Sequence, residues 1–125
     1  MTFAAWCILA AAFLPYASVG LAKFGGRGYD NAAPRVMLTG LTGWRARAEW
    51  AHRNHFEAFG PFAVGVLVAQ GAHAPQGMVD VLAGAFVLLR LGYTGAYVAG
   101  WASVRSLLWL GGVVCVVLLF VSGLR

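Results

Sequence analysis

Apolar stretches about as long as a bilayer-crossing helix follow one another along almost the whole chain, and this restricts the fold more than any other feature. In hydrocarbon, only helices and closed barrels satisfy every backbone polar group internally, and runs of this length read as helices. They occupy about residues 2–22, 44–72, 78–101 and 104–123. The expected fold is all-α: a single transmembrane domain over residues 1–125, built as a four-transmembrane-helix up-down bundle.

Composition agrees. Hydrophobic residues make up 61% of the chain and charged residues 10%, and the mean hydropathy is +0.76, which excludes an ordinary soluble domain. Nine basic residues against four acidic ones give +5, a balance that in a soluble chain would point to nucleic acid. Here the basic residues gather between apolar runs and hold a loop in the cytoplasm, so lipid is the expected partner and nucleic acid is not. Cys7 and Cys115 lie inside apolar runs with no CxxC or ligand-type spacing. Neither a disulfide framework nor a metal site is expected.

The first run competes with a signal peptide, but no Lys or Arg precedes its apolar part and it is long for such a segment. A retained helix is expected, bent at Pro15, where one intrahelical hydrogen bond is lost. Residues 23–43 are Gly-rich, with Asp30-Asn31 and Pro34 as turn formers, and are expected to be a loop in which helix cannot continue into Arg35. Pro75, Gln76 and Gly77 make a second turn, and Ala102-Ser103 a third connection. Lys23, Arg27, Arg35, Arg45, Arg47 and Arg105 fall on one side of the membrane and only Arg125 on the other, which places the first loop in the cytoplasm and both termini outside. The five tryptophans mostly lie toward helix ends, as interfacial anchors do.

Polar groups inside these runs are functional candidates, because unpartnered they cost several kcal/mol in hydrocarbon. On the second helix Arg47, Trp50, Asn54, Glu57 and Pro61 share a stripe bordered by Arg53, with His52 and His55 pointing elsewhere. On the third, Arg90, Tyr93, Thr94, Tyr97 and Trp101 share another. Counted from the cytoplasmic ends, Glu57 lies roughly 18 Å deep and Arg90 roughly 20 Å, so an ion pair between them is expected. Hydrogen bonds that merely join helices are the competing role for these groups. Arg53 has no carboxylate at its depth on this reading, because Glu49 is placed near the surface on another face and Asp80 at the far end of the third helix. With Arg105 and the Arg45/Arg47 pair above, Arg53 makes a positive pocket suited to a small, multiply anionic ligand. A second, apolar substrate would enter from the bilayer.

The run Ala51-His52-Arg53-Asn54-His55-Phe56-Glu57-Ala58-Phe59-Gly60-Pro61-Phe62 resembles the second-helix signature of the membrane-associated proteins in eicosanoid and glutathione metabolism, the MAPEG family. Arg90-Leu91-Gly92-Tyr93-Thr94-Gly95-Ala96-Tyr97, followed by Val104-Arg105-Ser106, is similar to that family's second block. The resemblance implies a homotrimer with glutathione, as co-substrate, bound between subunits near the cytoplasmic face. It implies Lys23, Arg53, Asn54, Glu57, Arg90, Tyr93, Tyr97 and Arg105 as glutathione contacts, and Arg105, Ser106 and Tyr97 as the groups that hold the thiolate. Asn31 to Arg35 looks like bacterial members, which implies an inner-membrane location with periplasmic termini. Two departures bear on acceptor choice and turnover: Tyr93 stands where some relatives carry histidine, and the interval from Tyr97 to Arg105 is one residue shorter than in some of them.

The implied activity is that of a glutathione-dependent transferase or peroxidase acting on an electrophilic lipid or other hydrophobic acceptor. The alternatives are a non-catalytic trimer that binds a small anionic or lipid ligand, and a small transporter. The first helix carries no carboxylate to couple an ion, which disfavours the last.

Overall fold

A computed structural model describes residues 1–124; Arg125, used above to assign orientation, lies outside them. Helices α1 (Phe3–Phe24), α3 (Gly43–Gly71), α4 (Gln76–Ala99) and α5 (Ala102–Ser122) are long, and α2 (Pro34–Thr39) is short. Three of them, α1, α4 and α5, are long and apolar enough to cross a membrane. The 29-residue α3 is longer still, but its first half carries Arg45, Arg47, Glu49, His52, Arg53, His55 and Glu57. It packs against α1, α4 and α5, and Ala46, Ala48, Glu49, Ala51 and His55 of that half are buried.

Small side chains allow this close packing. The buried positions of α1 are Ala4, Cys7, Ala11, Pro15, Ser18 and Ala22, an unbroken stripe at helical spacing. Much of the core is filled by Phe62, Val66 and Ala69 of α3, Val79, Ala83 and Phe86 of α4, and Cys115 and Leu119 of α5. The Phe62 and Phe86 rings stack with centroids 3.9 Å apart. Both cysteines are buried and free. Helix α1 continues through Pro15, whose carbonyl accepts a hydrogen bond from His52 Nδ1 at 2.8 Å.

The loop after α1 differs from expectation. Proline restricts the residue before it, and Ala33 is indeed non-helical, but its fixed φ suits the first position of a helix. Arg35 is therefore helical, in a short α2 that begins at Pro34.

The start of α3 ties down two other helix ends. Arg45 donates Nε–H to the Ala22 carbonyl at 2.9 Å, Nη2–H to Lys23 at 3.0 Å and Nη1–H to Arg27 at 3.2 Å. Arg47 donates Nε–H and Nη2–H to the Val98 carbonyl at 3.1 and 3.0 Å. Terminal carbonyls of a helix lack intrahelical donors, and the negative end of the dipole attracts cations, so the two arginines close α1 and α4. At the opposite face Asp80 Oδ1 accepts from the Ala4 N–H at 2.9 Å and Thr2 Oγ1 accepts from the Ala5 N–H at 3.2 Å, capping the start of α1.

Gly25 makes room for the first of these joints, since a Cβ there would overlap the Trp44 indole. Gly25→Ala is expected to cost about 1–3 kcal/mol through overpacking, read as a lower midpoint of thermal unfolding in detergent. An unchanged midpoint would show that Trp44 moves aside freely.

Candidate functional site

The chemistry-bearing side chains converge where α3, α4 and α5 meet. Arg90 is 2% exposed. It donates Nε–H to His55 Nδ1 at 3.2 Å and Nη2–H to Asn54 Oδ1 at 2.9 Å. His55 Nε2 lies 2.7 Å from Thr94 Oγ1, and the Thr94 hydroxyl donates to the Arg90 carbonyl at 3.0 Å. Because that hydroxyl proton is already committed, His55 must donate from Nε2 and accept at Nδ1. The Asn54 amide completes the chain by donating Nδ2–H to Glu57 Oε2 at 3.0 Å.

Two expectations are corrected by this network. Glu57 and Arg90 do not form an ion pair; the Asn54 amide stands between them, accepting from one and donating to the other. His55 does not point away but shares Arg90, because the guanidinium fork is wide enough to reach acceptors on two flanks of α3.

Arg53 is not uncompensated either. Its Nε lies 2.6 Å from Glu49 Oε1, an i,i+4 pair in which the Glu49 side chain is 6% exposed and that of Arg53 63%. Glu49 is thus buried and meets Arg53 rather than lying on another face. Arg45 and Arg47 are likewise engaged with helix-end carbonyls, which removes them from the expected positive pocket.

Arg105, at the start of α5, differs from all of these. It makes no side-chain hydrogen bond or ion pair among the described residues, and its guanidinium carbon lies 4.7 Å from the centroid of the Tyr97 ring. The Arg90 guanidinium sits 4.0 Å from the Tyr93 ring centroid, and the two tyrosine rings meet edge-on at 5.4 Å. The result is a ladder of cation, ring, ring and cation from α4 to α5, held partly by cation–π attraction.

Two cavities open beside this ladder. A chamber of about 250 Å³ is walled by Tyr93, Tyr97, Arg105, Ser106 and Trp109. A larger one of about 370 Å³ has Asn54, Glu57 and Arg90 at one end and Ala58, Pro61, Phe86, Val113, Val116 and Val117 beyond, with Trp109 again in the wall. The first offers a cation and hydroxyl donors to an anion; the second offers an apolar slot with a polar mouth. The predicted site residues thus fall into two groups. Asn54, Glu57, Arg90, Tyr93, Tyr97, Arg105 and Ser106 line one cavity or the other, whereas Arg53 and Lys23 line neither. Lys23 lies at the end of α1 with its Nζ 5.4 Å from the Tyr29 ring centroid.

These features coincide with a match along the sequence: a model of the MAPEG family covers residues 3–125. The chain belongs to the MAPEG family. No curated protein and no solved structure matches it. Family and apolar helices together make this MAPEG chain an integral membrane protein in contact with the lipid bilayer, and they suggest a function related to glutathione. In this MAPEG chain His55 and Trp109 were missed as site residues. The apolar character of α5 concealed Trp109, but its position four residues after Arg105 places it one turn along the same face, a signal that was available. For His55 no such signal existed on the helical stripe.

Proposed function

We propose that this protein is a glutathione-dependent membrane transferase or peroxidase, working as a homotrimer of four-span subunits in a bacterial inner membrane, with termini periplasmic and the site toward the cytoplasm. The observation that carries this reading is Arg105, a cation without a carboxylate partner among the described residues, facing a chamber that also holds Ser106 and two tyrosines. A thiol of ordinary pKa, about 8.5, becomes a nucleophile at neutral pH when a cation and hydroxyl donors hold its anion. Arg105 supplies the cation, and Ser106 or Tyr97 the hydroxyl. Asn54, Glu57 and Arg90 bind the peptide part of glutathione at the neighbouring polar mouth, and Tyr93 does so from the chamber wall.

The places of the remaining groups support an assembly of this kind. Arg53 and Glu57 are exposed on α3 in a single subunit, yet they lie roughly 12–18 Å from its cytoplasmic end, where lipid would leave them unsolvated. A neighbouring copy covers that face, brings Arg53 to the peptide, and contributes Lys23 from the end of its α1. In conjugation the sulfur forms a bond to the electrophilic carbon as the leaving group departs. In peroxide reduction two glutathiones become a disulfide as the hydroperoxide becomes an alcohol and water.

Detergent-purified protein is expected to conjugate glutathione to an aryl halide and to raise the ultraviolet absorbance of bound thiolate at neutral pH. Binding of glutathione with neither signal would favour a non-catalytic trimer that keeps only the anion pocket. Proton-coupled uptake into vesicles without conjugation would favour a transporter.

A further inference from the structure

We infer that His55 is a positioning residue for the thiol-bearing substrate: it grips one edge of the Arg90 guanidinium so that the opposite corner, Nη1, is held ready for a carboxylate of that substrate. This rests on the glutathione-dependent reading above and adds the group that sets how the peptide part is held.

The hydrogen bonds carry the inference. One ring nitrogen of His55, Nδ1, faces both Nε and Nη2 of Arg90, at 3.2 and 3.0 Å. Nη2 also donates to Asn54 Oδ1 at 2.9 Å. Nη1 makes no hydrogen bond among the described residues, yet no buried side-chain nitrogen or oxygen among them lacks a partner, so Nη1 is not sealed in. Arg90 is only 2% exposed and lines the 370 Å³ cavity, which is where that corner opens.

Charge points the same way. A ring that accepts at Nδ1 and donates from Nε2 is neutral, and so is the Asn54 amide. The donors on one edge of Arg90 are thus occupied without its charge being cancelled, and no carboxylate pairs with it among the described residues. An acidic side chain in the place of His55 would have satisfied the same donors but would have competed with an incoming anion.

The ring itself is fixed. Thr94 Oγ1, 2.7 Å from Nε2, holds the tautomer, and His55 is buried with the Tyr93 ring edge-on at 6.0 Å. A side chain set in this way before the ligand arrives spares the ordering that binding would otherwise cost.

The test is steady-state conjugation of an aryl halide by the full chain in detergent, comparing wild type with His55→Gln and His55→Asn. The two amides divide the ring between them. Asparagine places an oxygen near the position of Nδ1 and keeps the grip on Arg90, whereas glutamine reaches the position of Nε2, keeps the Thr94 contact and releases Arg90. His55→Gln should raise KM for glutathione about tenfold, the equivalent of one hydrogen bond to a charged group, with kcat changed less than about threefold. His55→Asn should hold KM within about threefold of the wild type although it gives up the Thr94 contact. Two analogues, the glycyl ethyl ester of glutathione and 4-aminobutyryl-cysteinylglycine, each lack one carboxylate. With one of them KM should already be raised in the wild type, and His55→Gln should add little, because both changes remove the same interaction. Should neither variant fold, Thr94→Val keeps the ring and frees its tautomer, and a KM raised about threefold is expected. Where the wild type binds glutathione without turnover, the same comparisons are read as Kd by titration calorimetry.

A KM or Kd unmoved by His55→Gln, or by Thr94→Val where that is the variant measured, would overturn the inference while leaving the enzymatic reading in place. So would glutamine and asparagine variants impaired alike and in step with their unfolding midpoints, the mark of a purely structural role, or a loss in His55→Gln that simply adds to the loss with both analogues. A wild type that neither turns over nor binds glutathione would remove the underlying reading and this inference together.

Discussion

Arg105→Ala lowers kcat/KM for glutathione conjugation by about 10²- to 10³-fold, the range found when one preorganised donor is removed from a developing anion. Because the Arg105 side chain has no hydrogen bond or ion pair among the described residues, its loss leaves no buried partner stranded, and helix content and unfolding temperature should stay near those of the wild type. The pH dependence separates this role from simple binding. Without the cation the bound thiol ionises later, so activity of the variant should recover partly as pH rises toward the ordinary thiol range of about 8.5. Arg105→Lys restores charge without the flat guanidinium that lies on Tyr97, and an intermediate rate is expected. A variant as active as the wild type at neutral pH would mean that another group holds the sulfur.

Arg90→Met has its main effect on stability. The substitution relieves the cost of keeping a cation buried, which favours the variant. Against that, His55 Nδ1 and Asn54 Oδ1 each lose a donor, at about 1–3 kcal/mol for each buried acceptor left unsatisfied. The contact with Tyr93 is lost as well, worth about 2 kcal/mol when desolvated. The losses outweigh the relief, and a net destabilisation of roughly 2–4 kcal/mol is expected. Thermal or denaturant unfolding in detergent measures it. Adding His55→Leu to Arg90→Met should recover part of the loss, because it removes one of the stranded acceptors; a purely additive double variant would show that the two side chains are not coupled.

The depth arithmetic that placed Glu57 level with Arg90 identified the right layer of the molecule, since both touch Asn54 there. It could not show that an amide would stand between two charges, because a helical stripe orders positions and not rotamers. The Glu49–Arg53 pair was open to the i,i+4 rule, but attention to depth separated two residues that are neighbours on the helix surface. Sequence alone places Arg45 and Arg47 at the top of a positive pocket. Their engagement with Ala22, Lys23 and Val98 depends on which helix ends lie side by side, and that is a tertiary fact. The apolar runs were clear because bilayer thickness imposes one length on every crossing segment; the polar first half of α3 was harder to classify because neighbouring helices, rather than its own composition, shelter it.

The fastening of α1 and α4 by Arg45 and Arg47 also bears on how the polypeptide is made. Both fasteners lie downstream of α1, so the carbonyls at the end of that helix must wait for the ribosome to deliver α3 before their protein donors exist. Those of α4 meet Arg47 as soon as they emerge. In the proposed orientation the two arginines would also count among the charges that direct insertion, so delivering the chain the right way round and finishing its helix ends would draw on the same side chains.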